Sequence, residues 1–418
     1  MQAAVPEMQM PPLDFDGQQW TCLHRGLRLS SHFQPIFSLT HRRAVGHEAL
    51  LRARDAEGRP VPPPEVLAGC VSLDELVYLD RVCRWLHAAN FARQARPDHW
   101  LFLNVHPTVF AQGPRRGTLA YLEQVTRRFQ LQPSQLVLEV TEDAISEDER
   151  FGAAVELAHN LGCLLALDDF GAGHSNFDRI WQIRPEIVKF DRHVVQRAAL
   201  DPRVARVVAQ MTSLLHECGA LVLCEGIETL DEGYAALESG VDFVQGYLFG
   251  RPQVDLCPAG GPPGALDAVW QRFDEQHEFH ERRHQARLAP YLRTIGDAAA
   301  RLCAGIDADT ACASFLALPG AELCYLLDEQ GVQVGHTIMS LQPEPGRCAR
   351  FAPLADASQA RWAKRPYFRR ALEAPGQVQV TRPYLSVNTA RLCVTVSVSL
   401  RRGDQLLVLG GDVAWDPH

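Results

Sequence analysis

The chain has 418 residues, 46% of them apolar and 22% charged, with a formal net charge of −9. That length and apolar share exclude a disordered or fibrous chain and suffice for two domains, while the acidic balance offers no basic field for a nucleic-acid polymer, so any nucleotide ligand is expected to be small and locally held. No run of about 18 or more apolar residues is present, and Pro, Asp and Gln occupy the start where a leader needs an apolar core, which predicts a cytoplasmic protein with no membrane span and a flexible segment over 1–20.

Short apolar runs then alternate with longer amphipathic stretches. Strands are predicted at 32–38, 44–51, 100–104, 136–140, 163–168, 186–190, 220–224 and 241–245. Helix-period apolar residues occupy 72–94, 117–130, 144–160, 193–217 and 229–239. That alternation is the pattern of crossover connections in a mostly parallel sheet. Only Leu39 to Arg43 separate the first two runs, too short a link for a helical crossover, so the first strand is expected antiparallel to the second. The whole fits a closed (β/α)8 TIM-like barrel better than an open doubly wound sheet. The Pro/Gly-rich 255–266 segment reads as a linker, and 267–303 as a long connecting helix that Pro290 should kink or break. His277, His280 and His284, spaced three and four residues apart among Glu and Arg, read as a solvated face of that helix. Further strands are predicted at 322–327, 332–336, 377–382, 391–400 and 405–414, giving a smaller α+β fold of the PAS or Cache type. The expected organisation is a flexible 1–20, a barrel over 21–256, linker and helix over 257–303, and a sensor or dimerisation domain over 304–418. The 12 cysteines are scattered without a Cys-x-x-Cys pair and read as reduced core thiols.

Polar residues of the barrel half gather where its runs end: Glu48 and Arg52, Asn104, Glu139 and Glu142, Asp168 and Asp169, Lys189, Glu225 and Glu228, and Gln245. In a barrel those ends meet on one face, where sites are built from several strands at once. Several carboxylates converging there repel one another unless a cation neutralises them, and one lysine with one arginine is not enough. All-oxygen ligands suit Mg²⁺ or Mn²⁺ rather than zinc. Two adjacent aspartates suit a pair of ions, the first bridging and the second holding one of them.

The strings FQPIFSL, GHEALLR, LFLNVHP, LEVTED, DDFGAGHSN, IVKFDR, CEGIET and QGYLFGRP resemble, in order, the motifs of the EAL family of cyclic di-GMP phosphodiesterases, named for the Glu-Ala-Leu at 48–50. The resemblance covers about residues 25–253 and implies metal-dependent hydrolysis of cyclic di-GMP to linear pGpG with two ions per site. It implies Glu48, Asn104, Glu139, Asp168, Asp169 and Glu225 as metal ligands, with Lys189 bonding the attacking water and Glu225 accepting its proton. Gln34, Arg52 and Gln245 are implied substrate contacts, and Glu142 and Glu228 supporting residues. Ala172, His174 and Asn176 depart from the usual Thr, Tyr and Ser, and His47 from Tyr, at positions that bear no implied ligand. The alternative is a receptor that binds cyclic di-GMP without turnover, and the intact ligand positions together with Lys189 weigh against it.

In the second half, RWAKRPYFRRAL (361–372) and RPYLS (382–386) resemble the ligand-side segments of Cache-like domains, which implies a pocket for an unknown small anion or amino acid lined by Trp362, Arg365, Tyr367 and Tyr384. LGGD at 409–412 matches the start of the diguanylate cyclase signature, but Val413 and Ala414 stand where Glu and Phe are needed, so a cyclase is rejected. An amphipathic connecting helix with no facing element in its own chain predicts a homodimer, through which the second domain would alter the barrel's activity.

Overall fold

The computed structural model describes residues 10–94, 97–111, 118–141, 149–173, 177–258, 264–341, 354, 357 and 359–415. Glu142, His174, Asn176 and the side chains of His277, His280 and His284 lie outside that description. The chain divides into two compact units, Met1–Glu275 and Gln276–His418.

The first unit holds β1 (Asp14–Phe15), β2 (Trp20–His24), β3 (Leu27–Ser38), β4 (Arg43–Arg54), β5 (Pro60–Val61), β6 (Trp100–Asn104), β7 (Leu136–Thr141), β8 (Leu164–Phe170), β9 (Ile187–Phe190), β10 (Leu221–Cys224) and β11 (Phe243–Val244). From β4 the order runs through β6, β7, β8, β9 and β10 to β11 in parallel. β3 then pairs antiparallel with both β11 and β4, closing an eight-stranded barrel. The antiparallel first strand is therefore borne out. The 193–217 stretch is two helices, Arg192–Leu200 and Pro202–Glu217, because Pro202 has no N–H with which to continue the first, and Asp201 caps the second by accepting from Arg203 N at 2.8 Å.

The expected flexible start is too long. Phe15 pairs with Trp20, and Asp16 Oδ1 accepts from the backbone N–H of Gln18 and Gln19 to close the turn between them. Beyond the barrel wall, β3 and β4 continue as a ladder to Arg28 opposite Arg54, flanked by β2 and β5.

Inside the barrel, Ile36, Phe102, Val137, Ala166, Ile187, Leu223 and Phe243 form one apolar cluster. Side chains alternate across a strand, so the next inward position on each strand lies two residues away. Those positions are Gln34, Asn104, Glu139, Asp168, Lys189, Glu225 and Gln245, with Glu48 opposite Gln34 on β4. The apolar plug thus forms the floor of a polar mouth. Gly46, two residues before Glu48, leaves room for the plug: a Cβ there would stand 3.0 Å from Phe102 Cε2.

The helix Ala265–Cys303 begins in the first unit, where Val269 is fully buried and Trp270 Nε1 donates to Leu39 O at 3.0 Å. It runs through Pro290 without a break, so of the expected kink or break the break does not occur. Ala286, whose carbonyl loses the N–H that Pro290 lacks, is exposed, so water can satisfy it. In the second unit β12 (Ala321–Leu327), β13 (Gln333–Met339), β14 (Gln379–Val380), β15 (Tyr384–Leu385), β16 (Leu392–Arg402) and β17 (Gln405–Ala414) form an antiparallel sheet in the order β13-β12-β17-β16-β14, with β15 also on β16. One face packs Cys324, Val396 and Leu409 against Ile295, Leu302 and Phe315, and the other packs Leu323, Tyr325 and Val408 against Tyr367 and Phe368 of the helix Pro366–Glu373. The GGD string has a packing origin. A Cβ on Gly410 would stand 2.6 Å from Tyr325 Cζ, and one on Gly411 2.5 Å from Phe315 Cζ. Among the described residues no helix is long and apolar enough to cross a membrane.

Candidate active site and a second recess

Lys189 is the centre of the barrel mouth. It is 1% exposed, and its ammonium lies against Glu139 Oε1, 2.5 Å from Glu225 Oε1, 3.2 Å from Asp168 Oδ1 and 4.0 Å from Glu48 Oε2. Asn104 Nδ2 donates to Glu48 Oε1 at 2.9 Å, and Gln245 Nε2 donates to Glu48 Oε2 at 2.7 Å. Gln245 also approaches Gln34 Oε1 at 3.3 Å, and Gln34 Nε2 donates to Gly250 O at 3.2 Å, which ties the antiparallel strand into the ring.

The two aspartates reach the same site through a bulge. Consecutive strand residues normally face opposite sides of a sheet. Between β8 and β9 the register moves from Leu167 opposite Val188 to Phe170 opposite Phe190, so Asp168 and Asp169 together stand across from the single Lys189. Asp169 pays for the arrangement with a left-handed backbone, φ 59°, and its N–H donates to Asp168 Oδ1 at 2.9 Å. Gly171 follows at φ 96°, where a Cβ would meet Val194 Cγ2 at 2.5 Å.

The charges are unbalanced. Burial works against the Lys189 ammonium, but the carboxylates of Asp168, Glu139, Glu225 and Glu48 outweigh it and raise its pKa well above the usual value, keeping it charged. Burial also opposes ionisation of Glu48, yet Lys189, Asn104 and Gln245 hold its pKa down. Glu139 is pushed well above the ordinary range, chiefly by burial and then by Glu48, Asp168 and Glu225, with Lys189 working the other way. Burial, with Lys189 opposing it and Asp168 and Glu48 adding to it, raises Glu225 to about 8.

Carboxylate oxygens of Glu48, Glu139 and Glu225 lie within 4.8 Å of one another, as do those of Asp168, Asp169 and Glu225. Glu225 belongs to both groups. Glu139 Oε1 meets the Lys189 ammonium, and among the described residues no hydrogen-bond partner reaches its buried Oε2. Oxygen-only donors, excess negative charge and an unsatisfied buried acceptor fit hard divalent cations.

The structure brings Gln34, Glu48, Asn104, Glu139, Asp168, Asp169, Lys189, Glu225 and Gln245 together at the mouth. Arg52 stands on the same face of β4 as Glu48 but four residues beyond it, with Nη1 on its own neighbour's carbonyl, Leu51 O, at 2.9 Å. Glu228 is exposed and its carboxylate is in neither acidic group, while its backbone N–H donates to Glu232 Oε2. His47 is fully buried away from the acids, accepting from Cys257 N at 2.9 Å and stacking on His99.

In the second unit Trp362, Arg365, Tyr367 and Tyr384 line one recess. Sequence reasoning missed further lining residues, Tyr325 and Asp412 among them. A lone carboxylate in the otherwise apolar strand 405–414 is the signal that points to Asp412.

Relatives bear on the barrel half most directly. "Cyclic di-GMP phosphodiesterase RocR" of Pseudomonas aeruginosa is 28% identical over 249 residues, covering 56% of this chain and 62% of the relative. "Cyclic di-GMP phosphodiesterase PdeF" of Escherichia coli is 27% identical over 226 residues, covering 53% of this chain and 29% of the relative. The chain thus spans less than two thirds of the length of either. The Bacillus subtilis YkuI protein, solved with cyclic di-GMP and calcium and described as having an EAL domain, superposes with a TM-score of 0.78 at 19% identity, covering 93% of this chain and 96% of that one. At that identity the likeness shows the shared fold of both halves. The EAL domain profile matches residues 21–252, more than half of the chain, and the protein belongs to the EAL-domain family.

Proposed function

We propose that the barrel hydrolyses one phosphodiester bond of cyclic di-GMP to give linear pGpG. The observation that carries the reading is the charge-unbalanced ring around Lys189, supported by family membership and by relatives named cyclic di-GMP phosphodiesterases. Glu48, Asn104, Glu139, Asp168, Asp169 and Glu225 would hold two divalent ions, Mg²⁺ or Mn²⁺. Such ions, when bound, acidify water and offset charge on the phosphate oxygens.

The chain's own residues then supply position and proton transfer. Lys189, kept charged by its carboxylate neighbours, donates a hydrogen bond to the attacking water and orients it towards phosphorus. Glu225, whose Oε1 lies 2.5 Å from the Lys189 ammonium, is placed to take the water's proton. Gln34, Gln245 and Arg52 contact the substrate, Arg52 through a phosphate, and Glu142 and Glu228 brace the surrounding loops. The chain works in the cytoplasm as a homodimer, and the second unit modulates the barrel through the helix Ala265–Cys303.

Incubation of the full chain with cyclic di-GMP and Mg²⁺ or Mn²⁺, followed by chromatography, tests the reaction. Formation of pGpG that stops on chelation is expected. Cyclic di-GMP that binds and is recovered intact in either metal overturns hydrolysis and leaves a receptor.

A further inference from the structure

The helix Leu73–Gln94 packs on the barrel through Trp85, Ala88 and Phe91, and it carries a buried ion pair that the chemistry of the mouth does not use. Asp80 is 6% exposed and Arg84, one turn further on, is 1% exposed, and Arg84 Nη2 donates to Asp80 Oδ2. Arg84 is itself held in place. Its Cζ lies 5.2 Å from the centre of the Tyr121 ring, and Tyr121 Oη donates to Arg81 O at 2.6 Å. A pair taken out of water in this way adds little to stability, and apolar groups of similar volume often replace it without loss.

The other oxygen of Asp80 reaches the barrel. Asp80 Oδ1 accepts from the backbone N–H of His106 at 3.0 Å, and His106 stands two residues beyond Asn104, the last residue of β6. The residue between them, Val105, donates its N–H to Glu139 O on β7 at 3.0 Å. The two peptide N–H groups that follow Asn104 are thus tied down, one to the neighbouring strand and one to the helix behind the wall. His106 O accepts from Val109 and Phe110 N–H at the start of the helix Pro107–Ala111, where backbone N–H groups have no partner within the helix, so Asp80 supplies the acceptor that the His106 N–H would lack. Asn104 depends on such a hold. It is exposed, so packing does not fix its side chain, and its Nδ2 donates to Glu48 Oε1 at 2.9 Å. Groups that hold an ion must be placed to within about 0.5 Å, and the direction in which Asn104 points is set by the backbone on which it stands.

We propose that Asp80 is a positioning residue for Asn104: by accepting the His106 N–H it fixes the strand end from which Asn104 reaches Glu48 and the divalent ions, and Arg84 with Tyr121 holds Asp80 at that task. The inference rests on the ion-binding reading of the barrel mouth given above.

The test combines Arg84→Met with either of two changes at Asp80, so that neither variant leaves a buried charge unpaired. Asp80→Asn keeps an oxygen for the His106 N–H, and Asp80→Leu removes it. Binding of Mn²⁺ to the full chain is measured by calorimetry without substrate, beside thermal unfolding without metal. The double variant with Asn should bind Mn²⁺ within about threefold of the parent and the one with Leu about tenfold or more weakly, the usual effect of removing a group that orients a metal ligand. Equal affinities in the two variants overturn the inference and leave Asp80 and Arg84 a structural pair. A parent chain that takes up no Mn²⁺ overturns the ion-binding reading, and the inference with it. In the unaltered chain, a hydrogen bond that favours the ion is favoured by it in return, so Mn²⁺ should slow hydrogen exchange at the His106 amide by a larger factor than at the amide of Val222, near the opposite end of the barrel. An equal or smaller effect at His106 overturns the inference even where the variant with Leu does not fold.

Discussion

Replacing Lys189 by methionine keeps the length of the side chain and removes a charge that faces four carboxylates. At an effective dielectric constant of about 20, a unit pair at the 3.2 Å of Lys189 and Asp168 attracts by about 5 kcal/mol, and one at the 4.0 Å of Lys189 and Glu48 by about 4 kcal/mol. Desolvation of the buried ammonium offsets most of this, and removing one partner of a buried pair costs a net of about 3–5 kcal/mol. The carboxyls left behind avoid that cost by taking up protons. Glu139 already stands well above its ordinary range and Glu225 at about 8, and losing Lys189 moves both higher. A carboxyl whose pKa is raised by folding binds more protons folded than unfolded, so its stability is complete below the unfolded value of 4.5 and falls as pH rises through the folded one. Thermal unfolding in a chelating buffer should therefore find Lys189→Met close to the parent near pH 5. The barrel of the variant should melt roughly 6–20 °C lower near pH 9. Added Mg²⁺ should recover part of the difference. A deficit of the same size at both pH values refutes the charge argument and makes Lys189 a packing residue.

Asp168→Asn should lower pGpG formation by about 10²-fold or more while leaving the melting curve in place, and activity within a few-fold of the parent excludes Asp168 as a bridging ligand. Asp412, raised from 3.8 to about 7 chiefly by burial, binds a proton in the fold that the unfolded chain has released, so the second unit loses on the order of 4 kcal/mol between about pH 4 and 7 and little above it. Urea unfolding of Asp412→Asn should show that slope removed, and an unchanged slope refutes the assignment. Gly410→Ala should destabilise the second unit by about 1–3 kcal/mol through the clash with Tyr325, and a variant as stable as the parent shows that the ring can move aside. A chain ending at Glu275 keeps Val269 and Trp270 on the barrel, and light scattering with a turnover assay should find it monomeric and altered in rate. The same oligomeric state and the same rate as the full chain make the second unit a passenger.

The barrel strands are legible in the sequence because a wall buried on both faces reads as a short continuous apolar run. Each run then ends on the polar residue that closes its inward face, as Val137 and Glu139 or Ile187 and Lys189 do. The extension of β3 and β4 is harder to read, because residues 27–31 are short and half polar and owe their strand to β2 and β4. Asp168 and Asp169 stand out as a pair, but the bulge that brings both carboxylates to Glu225 depends on the register with β9, which is a tertiary fact. In the second unit the aromatic lining is marked by its own segments. Asp412 and Tyr325 are obscured, one inside a string that mimics another family's signature and the other inside an ordinary strand.

The ladder that carries β3 and β4 past the rim gives the mouth one tall side, with Arg52 about 13 Å along the strand from Glu48. Cyclic di-GMP is made of two identical halves, and a container with a single high wall has no two-fold axis to match it. Under the proposed reaction one half of the ring lies on the floor beside Lys189 while the other leans on the wall. Two phosphodiesters that are equivalent in solution would then differ once bound. Under that reading a wall without two-fold symmetry would present one phosphodiester, and not its twin, to the acidic floor.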